Sequence, residues 1–380
     1  MPQLPYWQLS GFYFFYFAFV GAMSPYWSLY LKSLEFSAFQ IGVLMSLLQV
    51  MRIFAPNLWG WLADHLGKRV LIVQVAAAAS LASYVGVFFG VSFFWLFLVM
   101  SLMSFFWSAS LPLVEATTLS HLGESTAGYG RIRLWGSIGF IIAVIGVGYV
   151  LDVAPIKALL WMVLGALAGI VLFSRHIPEA HSLPHATDRL PVWSVLKQPP
   201  VLALIIACFL MSAAHGPYYT FYSLYLVEHG YAKSSVGWLW ALGVMCEIVV
   251  FIYMPRLLRW FSLKQILLFS FAMATLRFLI IAWGVEQVGL MLFAQTLHAF
   301  TFGAYHAAAV AVIHRYFRGR HQAKGQALYT SLSFGAGGAL GSLYSGYTWD
   351  AFGAGVTFSI AAGCAFVAML LLLWKLKLAD

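Results

Sequence analysis

Long apolar runs alternate with short polar breaks along this chain, and the runs are similar in length. About 20 apolar residues cross a roughly 30 Å hydrocarbon layer as a helix. On that measure the pattern predicts twelve spans: residues 7–31, 39–63, 70–91, 92–119, 131–151, 156–174, 199–227, 235–258, 265–284, 287–314, 325–349 and 353–374. In lipid every backbone amide needs an internal partner, and these runs far exceed the tilted strands of a barrel, so helices are the economical solution. The expected fold class is all-α. The first span carries Tyr6 and Trp7 as interface-type aromatics and lacks a cationic leader or small-residue cleavage site, so it reads as a retained helix.

The pattern repeats. Ser28-Leu29-Tyr30-Leu31 recurs as Ser223-Leu224-Tyr225-Leu226, and the same offset places Gly42 on Gly237, Leu44 on Leu239 and Leu47 on Leu242. A duplicated membrane unit is expected, of the kind whose halves rock about a central site. The longest polar stretch contains Pro178, Pro184, Pro191, Pro199 and Pro200. It divides the chain into a six-helix bundle over 1–174, a cytoplasmic linker over 175–198 and a second, pseudo-symmetric six-helix bundle over 199–380. His176, His181 and His185 fall at or in this linker; flexible spacing without a preorganised surround reads as solvated chain, and no metal site or cofactor is expected.

Composition agrees: 62% of residues are hydrophobic and 9% charged, too little charge to solvate a water-exposed surface of this size. The cations also set an orientation. With the N-terminus inside, the cytoplasmic loops hold Lys68, Arg69, Arg131, Arg133, Arg175, Arg189, Lys197, Arg256, Arg259, Lys264, Arg315, Arg318, Arg320, Lys324, Lys375 and Lys377, whereas the opposite face holds Lys32, Lys157 and Lys233. By the positive-inside rule both termini are expected in the cytoplasm, in a multi-pass inner-membrane protein. The net charge of +9 is thereby explained by membrane-proximal loops, without nucleic acid as a partner. Cys208, Cys246 and Cys364 all lie inside predicted spans with no C-x-x-C spacing, and read as packing residues.

Ionisable side chains inside the spans carry most of the chemistry, because each costs about 2.5 to 3.5 kcal/mol at the bilayer centre on the lenient insertion scale. They are Arg52, Glu115, Arg133 at the start of the fifth span, Glu247 and Arg277, with His215, His298 and His306 as titratable imidazoles. Arg52 falls on Glu247 under the repeat offset. Either the two serve a cavity between the halves, or each is locked in an ion pair within its own half. Glu115 and Arg133 flank a short loop at a spacing that lets neighbouring antiparallel helices bring them face to face, where they would hold each other until a solute intervenes. His215, Tyr219 and Tyr222, with Tyr218, share helical spacing in the seventh span, and Tyr26 and Trp27 stand in the equivalent part of the first. They either line an aromatic-accepting cavity or simply pack. Gly335, Gly337, Gly338, Gly341 and Gly346 read as glycines permitting close helix contact.

Gly60-Trp61-Leu62-Ala63-Asp64-His65-Leu66-Gly67-Lys68-Arg69 resembles the signature loop of the major facilitator superfamily. Its second-half counterpart, Pro255-Arg256-Leu257-Leu258-Arg259-Trp260, keeps the cations and lacks the aspartate. Leu111 to Glu115 with Tyr129 to Gly136 resembles the sugar permeases of the lactose type, in which a Glu and an Arg at matching positions bind the sugar. Phe140 stands where that type has a stacking tryptophan. A resemblance over nearly the whole chain is to the phenylpropionate permease family of proton symporters, near the nucleoside and oligosaccharide symporters. It is carried by Ser24-Pro25-Tyr26-Trp27-Ser28, Tyr129 to Ser137, Gly237-Trp238-Leu239-Trp240 through Glu247, and Leu297-His298-Ala299-Phe300-Thr301-Phe302 with His306-Ala307-Ala308. The resemblance implies a twelve-helix major facilitator fold and a secondary transporter.

Proton coupling needs a group whose protonation changes with conformation or solute. Glu247 and Glu115 are the acids available. Arg277 and His298 are similar to the coupling arginine and histidine of the lactose type, but Thr301 stands where that type carries its proton-bearing acid, so the proton route must differ. Glu247 is expected to carry the proton, with His298 assisting and Arg277 tuning; the alternative is a histidine that only bonds across helices. The expectation is proton-driven import of a small organic solute, such as an aromatic carboxylate held by Arg52 or Arg133, by a monomer whose partners are solute, protons and lipid. The runner-up solute is a nucleoside or saccharide. Efflux is disfavoured because residues 136–151 lack the Gly-Pro element of drug-efflux relatives. An enzyme is not expected, as no H-E-x-x-H or G-x-S-x-G occurs.

Overall fold

Apolar side chains all round, with a backbone that must bond to itself, produce helix throughout. The computed structural model describes residues 4–123, 127–180, 193–317 and 322–377. Of the residues singled out above, His181, Pro184, His185, Arg189, Pro191, Arg318 and Arg320 lie outside the described residues. The elements are α1 (Tyr6–Ser33), α2 (Ala38–Leu66), α3 (Arg69–Val85), α4 (Phe93–Leu122), α5 (Ala127–Val153), α6 (Ala158–Ser174), α7 (Trp193–Leu196), α8 (Pro199–Ala214), α9 (Gly216–Glu228), α10 (Lys233–Trp260), α11 (Leu263–Trp283), α12 (Val288–His298), α13 (Tyr305–Tyr316), α14 (Gln322–Tyr329) and α15 (Gly338–Lys375). No strand occurs among the described residues.

Nine helical stretches among the described residues are long and apolar enough to cross a membrane. Three further observations bring the helical passes to the expected twelve. The aromatic-rich α1 is 28 residues long, and α6 is an apolar helix of 17. The 52-residue stretch Lys324–Lys375 divides at Gly353, whose φ of 82° and ψ of 175° only glycine adopts readily. Conversely, α8 and α9 form one pass bent at His215. Pro217 has no N–H, so the Ala213 carbonyl loses its helical donor, and the Tyr344 hydroxyl supplies one at 3.2 Å. Two π-helical segments, Ala299–Ala304 and Thr330–Gly337, interrupt the regular helix on either side of α13 and α14. Such wide turns re-aim side chains and recur at functional sites.

The chain forms two compact units, and two helices contribute to both. One unit takes residues up to 36, 50–185 and 232–238; the other takes 37–49, 186–231 and 239 onward. In the second unit, the Asp350 carboxylate accepts the backbone N–H groups of Ala38 and Phe39 at 3.2 and 3.1 Å, capping the start of α2. The first unit repeats the device on α10: Asp152 accepts from Lys233 and Ser234 at 2.8 and 3.1 Å. Both contacts need backbones to touch. A Cβ placed on Gly346 would sit 2.7 Å from the Ala38 carbonyl, and one on Gly237 would sit 2.6 Å from that of Val144. Residues in the linker also serve a helix start: Glu179 accepts from the Val70 amide through both oxygens, at 3.0 and 3.2 Å.

Candidate functional site

In the first unit, α4 and α5 bring Glu115 and Arg133 together, with Nε 3.9 Å from the carboxylate. Tyr129 donates to the same Glu115 oxygen at 3.3 Å, and the Arg133 guanidinium lies 4.0 Å above the Phe17 ring. Both charged side chains stay about one-third exposed, 33% for Arg133 and 36% for Glu115. Arg52 lies 5.8 Å from the Trp107 ring, which stacks on Tyr16 at 4.5 Å and 10°. The signature-type loop is built as its residues suggest. Gly67 takes a left-handed φ of 63° in the turn, Asp64 pairs with Arg69 at 3.3 Å, and Lys68 stands at the N-cap of α3. Gly60 has open space around it.

Three aromatics expected at the solute are held in packing instead. Tyr26 donates to the Val144 carbonyl at 2.7 Å and the Lys233 carbonyl at 3.1 Å. Trp27 is fully buried, and its indole N–H points at the Met100 sulfur, 3.1 Å away. The Phe140 backbone lies against Gly21, where a Cβ would come within 2.6 Å of its carbonyl, and the side chain is buried. These are consequences of helix rotation, which decides whether an aromatic meets a cavity or a neighbour.

The second unit gathers the remaining charges. Arg277 is fully buried and donates to the Ala294 carbonyl at 3.1 Å, Thr301 Oγ1 at 3.3 Å and Gln295 Oε1 at 3.4 Å. Its guanidinium also lies 4.1 Å over the Tyr218 ring, and the Tyr218 hydroxyl donates to Gln295 at 3.0 Å. Beside it, His298 Nε2 faces the Glu247 carboxylate at 3.8 Å. His298 Nδ1 is buried and has no hydrogen-bond partner among the described residues. The His215 ring is 6.3 Å from that of His298.

A small cavity, partly continuous with solvent, opens beside this cluster within the same unit. His215 and Tyr219 line it; Tyr222 does not, and packs on Tyr218 with ring centroids 4.9 Å apart. Gln49, Ser212, Phe302 and Phe334 are lining residues the sequence reading missed. The available signals were the polar Gln49 and Ser212 in apolar spans, and the glycine- and serine-rich stretch 331–338 that forms the second π segment. Among the described residues no cluster of three or more His, Cys, Asp or Glu side chains is placed to hold a metal ion.

The model of the MFS_1 like family matches residues 6–360. The chain belongs to that family. It is 29% identical over 373 residues to the probable 3-phenylpropionic acid transporter of Escherichia coli K12, covering 96% of each chain. It is 28% identical over 371 residues to the maltose permease of Geobacillus stearothermophilus, covering 96% of this chain and 93% of that one. The crystal structure of the nucleoside transporter NupG superposes with a TM-score of 0.85 at 18% identity, over 98% of this chain and 99% of that one; this likeness establishes the major facilitator fold. As a member of this superfamily the protein is a multi-pass membrane transporter and not an enzyme.

Proposed function

We propose that this transporter imports a small organic solute, an aromatic carboxylate such as a phenylpropionate, by proton symport with alternating access. The observation that carries the reading is the arrangement in the second unit: a fully buried arginine beside an imidazole–carboxylate pair 3.8 Å apart. Burying Arg277, Glu247 and His298 in one apolar bundle is a poor way to gain stability. It suits a device in which one proton moves between Glu247 and His298 and changes the charge facing Arg277. Glu247 is the proton-coupling acid in this reading, His298 its relay and Arg277 the tuning charge. Arg52 or Arg133 supplies the charge complement for the solute carboxylate. The 3-phenylpropionic acid name of a relative that matches 96% of this chain supports the solute class.

Saccharides or nucleosides are the second reading, favoured by the carboxamide and hydroxyl groups of Gln49, Ser212 and Ser342 in the cavity. The protein is taken to work as a monomer in the inner membrane with both termini cytoplasmic, its bundles 1–174 and 199–380 joined by the 175–198 linker. Purified protein in liposomes tests the whole reading. An imposed inward proton gradient should drive accumulation of 3-phenylpropionate, and the flux should collapse when a protonophore is added. Accumulation of maltose or a nucleoside instead would select the second reading; solute movement indifferent to the gradient would remove proton coupling.

A further inference from the structure

Glu247 and His298 meet across two helical segments whose spacings differ. On α10, Gly243 stands four residues before Glu247, the span of one α-helical hydrogen bond. On the facing segment, Gly303 stands five residues after His298, inside the π-helical stretch Ala299–Ala304, and five residues is the span of a π-helical hydrogen bond. The two steps match, and the contacts cross over. A Cβ on Gly303 would lie 3.0 Å from Glu247 Cγ, and one on Gly243 would lie 3.2 Å from His298 Cδ2. Each titratable side chain is thus seated on the glycine one turn from its partner.

Neither seat has room for a methyl without a shift. At 3.0 to 3.2 Å the neighbour must give by a few tenths of an ångström. Functional geometry is held to about 0.5 Å, and the pair is 3.8 Å apart, in charge contact but beyond hydrogen-bond length. A push of that size therefore decides whether carboxylate and imidazole stay apart or close. Glycine is a poor residue inside a helix and alanine the best, so these two glycines serve the contact and not the helix. Gly243 also meets Gln295: its Cβ position lies 3.4 Å from the Oε1 that accepts from Tyr218 and Arg277. The other titratable or charged groups around the pair are His215 and Tyr218, with rings 6.3 and 5.7 Å from that of His298, and Arg277 of α11, whose charge reaches His298.

We propose that Gly243 and Gly303 are positioning residues of the proton-coupling pair: by leaving out a Cβ on each side, they set the distance between Glu247 and His298. This rests on the proton-symport reading above and deepens it from the pair to the backbone that holds the pair. The π turn supplies the register. Four residues after His298, where a regular helix would complete the same step, stands Phe302, whose side chain is far larger than the seat that Gly303 leaves.

Infrared difference spectroscopy of the purified full chain follows the Glu247 carboxyl band, identified as the one lost in Glu247→Gln, through a pH titration. Gly303→Ala and Gly243→Ala should each move its midpoint by about half a pH unit or more. Gly289→Ala, on α12 with open space around it, should leave the midpoint in place. In a His298→Ala background Gly243→Ala should add little, because the ring it displaces is gone. An unmoved midpoint in either glycine variant, an equal movement in Gly289→Ala, an undiminished effect without the His298 ring, or a Glu247 band that never titrates overturns the proposal. Should a glycine variant fail to fold, solid-state NMR of the wild type decides for that position. A cross-peak between Gly303 Cα and Glu247 Cγ, or between Gly243 Cα and His298 Cδ2, that responds to the titration supports the assignment, and a missing or unresponsive one overturns it. Liposome accumulation separates the two readings. Gradient-driven uptake by wild type with unmoved midpoints in the glycine variants sinks this inference alone; moved midpoints without gradient-driven uptake sink proton symport alone.

Discussion

At the scale of single residues, two ion contacts differ in what their removal should do. Glu115 and Arg133 are about one-third exposed and 3.9 Å apart. A partly exposed pair at this separation is worth roughly 0–1 kcal/mol to stability. Arg133→Ala should therefore shift the thermal midpoint little while weakening carboxylate binding by about tenfold or more; unchanged affinity in calorimetry would make the pair structural. Glu247 and His298 lie deeper, with the side chains 16% and 7% exposed. Glu247→Gln keeps the shape and removes the titratable acid. It should abolish uphill accumulation in liposomes while counterflow exchange of solute continues, and undiminished uphill uptake would exclude Glu247 as the coupling acid.

Helices and their ends form the next scale, where the two aspartate caps stand out. Asp350 holds the first amides of α2 and Asp152 those of α10, each with two hydrogen bonds. A lost N-terminal carboxylate partner costs about 1 kcal/mol. Asp350→Ala should lower the melting temperature of purified protein modestly, and Gly346→Leu should lower it more, because the new side chain meets the α2 backbone where even a Cβ would lie 2.7 Å from the Ala38 carbonyl. Equal stability of Gly346→Leu and wild type in a thermal-unfolding assay would refute the close contact. The glycines at 338, 341 and 346 were readable as packing glycines from their spacing. Their partners were not, since Gly341 meets the Ala213 carbonyl of α8 and Gly346 meets α2, far away in sequence.

Over the whole molecule, the excess of Lys and Arg on one set of loops makes orientation testable. With Cys208, Cys246 and Cys364 replaced, a cysteine at Lys32 should react with an impermeant maleimide added outside intact cells, whereas one at Arg256 should react only after the membrane is opened. The opposite pattern would invert the topology. Hydrophobic run length, repeat and charge asymmetry made the all-α, twelve-pass fold legible, because in lipid those are local requirements of the backbone. The spacing across one short loop likewise showed that Glu115 could meet Arg133. What no periodicity disclosed was the rotation of each helix. Successive residues turn by about 100° around the axis, so slight changes in packing move a side chain from cavity to neighbour. Thus Tyr26 and Trp27 were turned into bonds with Val144 and Met100, while His215 was left with a buried Nε2 that has no hydrogen-bond partner among the described residues. Sequence alone determined how many helices cross and which costly side chains they carry; tertiary structure decided which of those side chains meet, because meeting depends on the approach and rotation of helices distant in the chain.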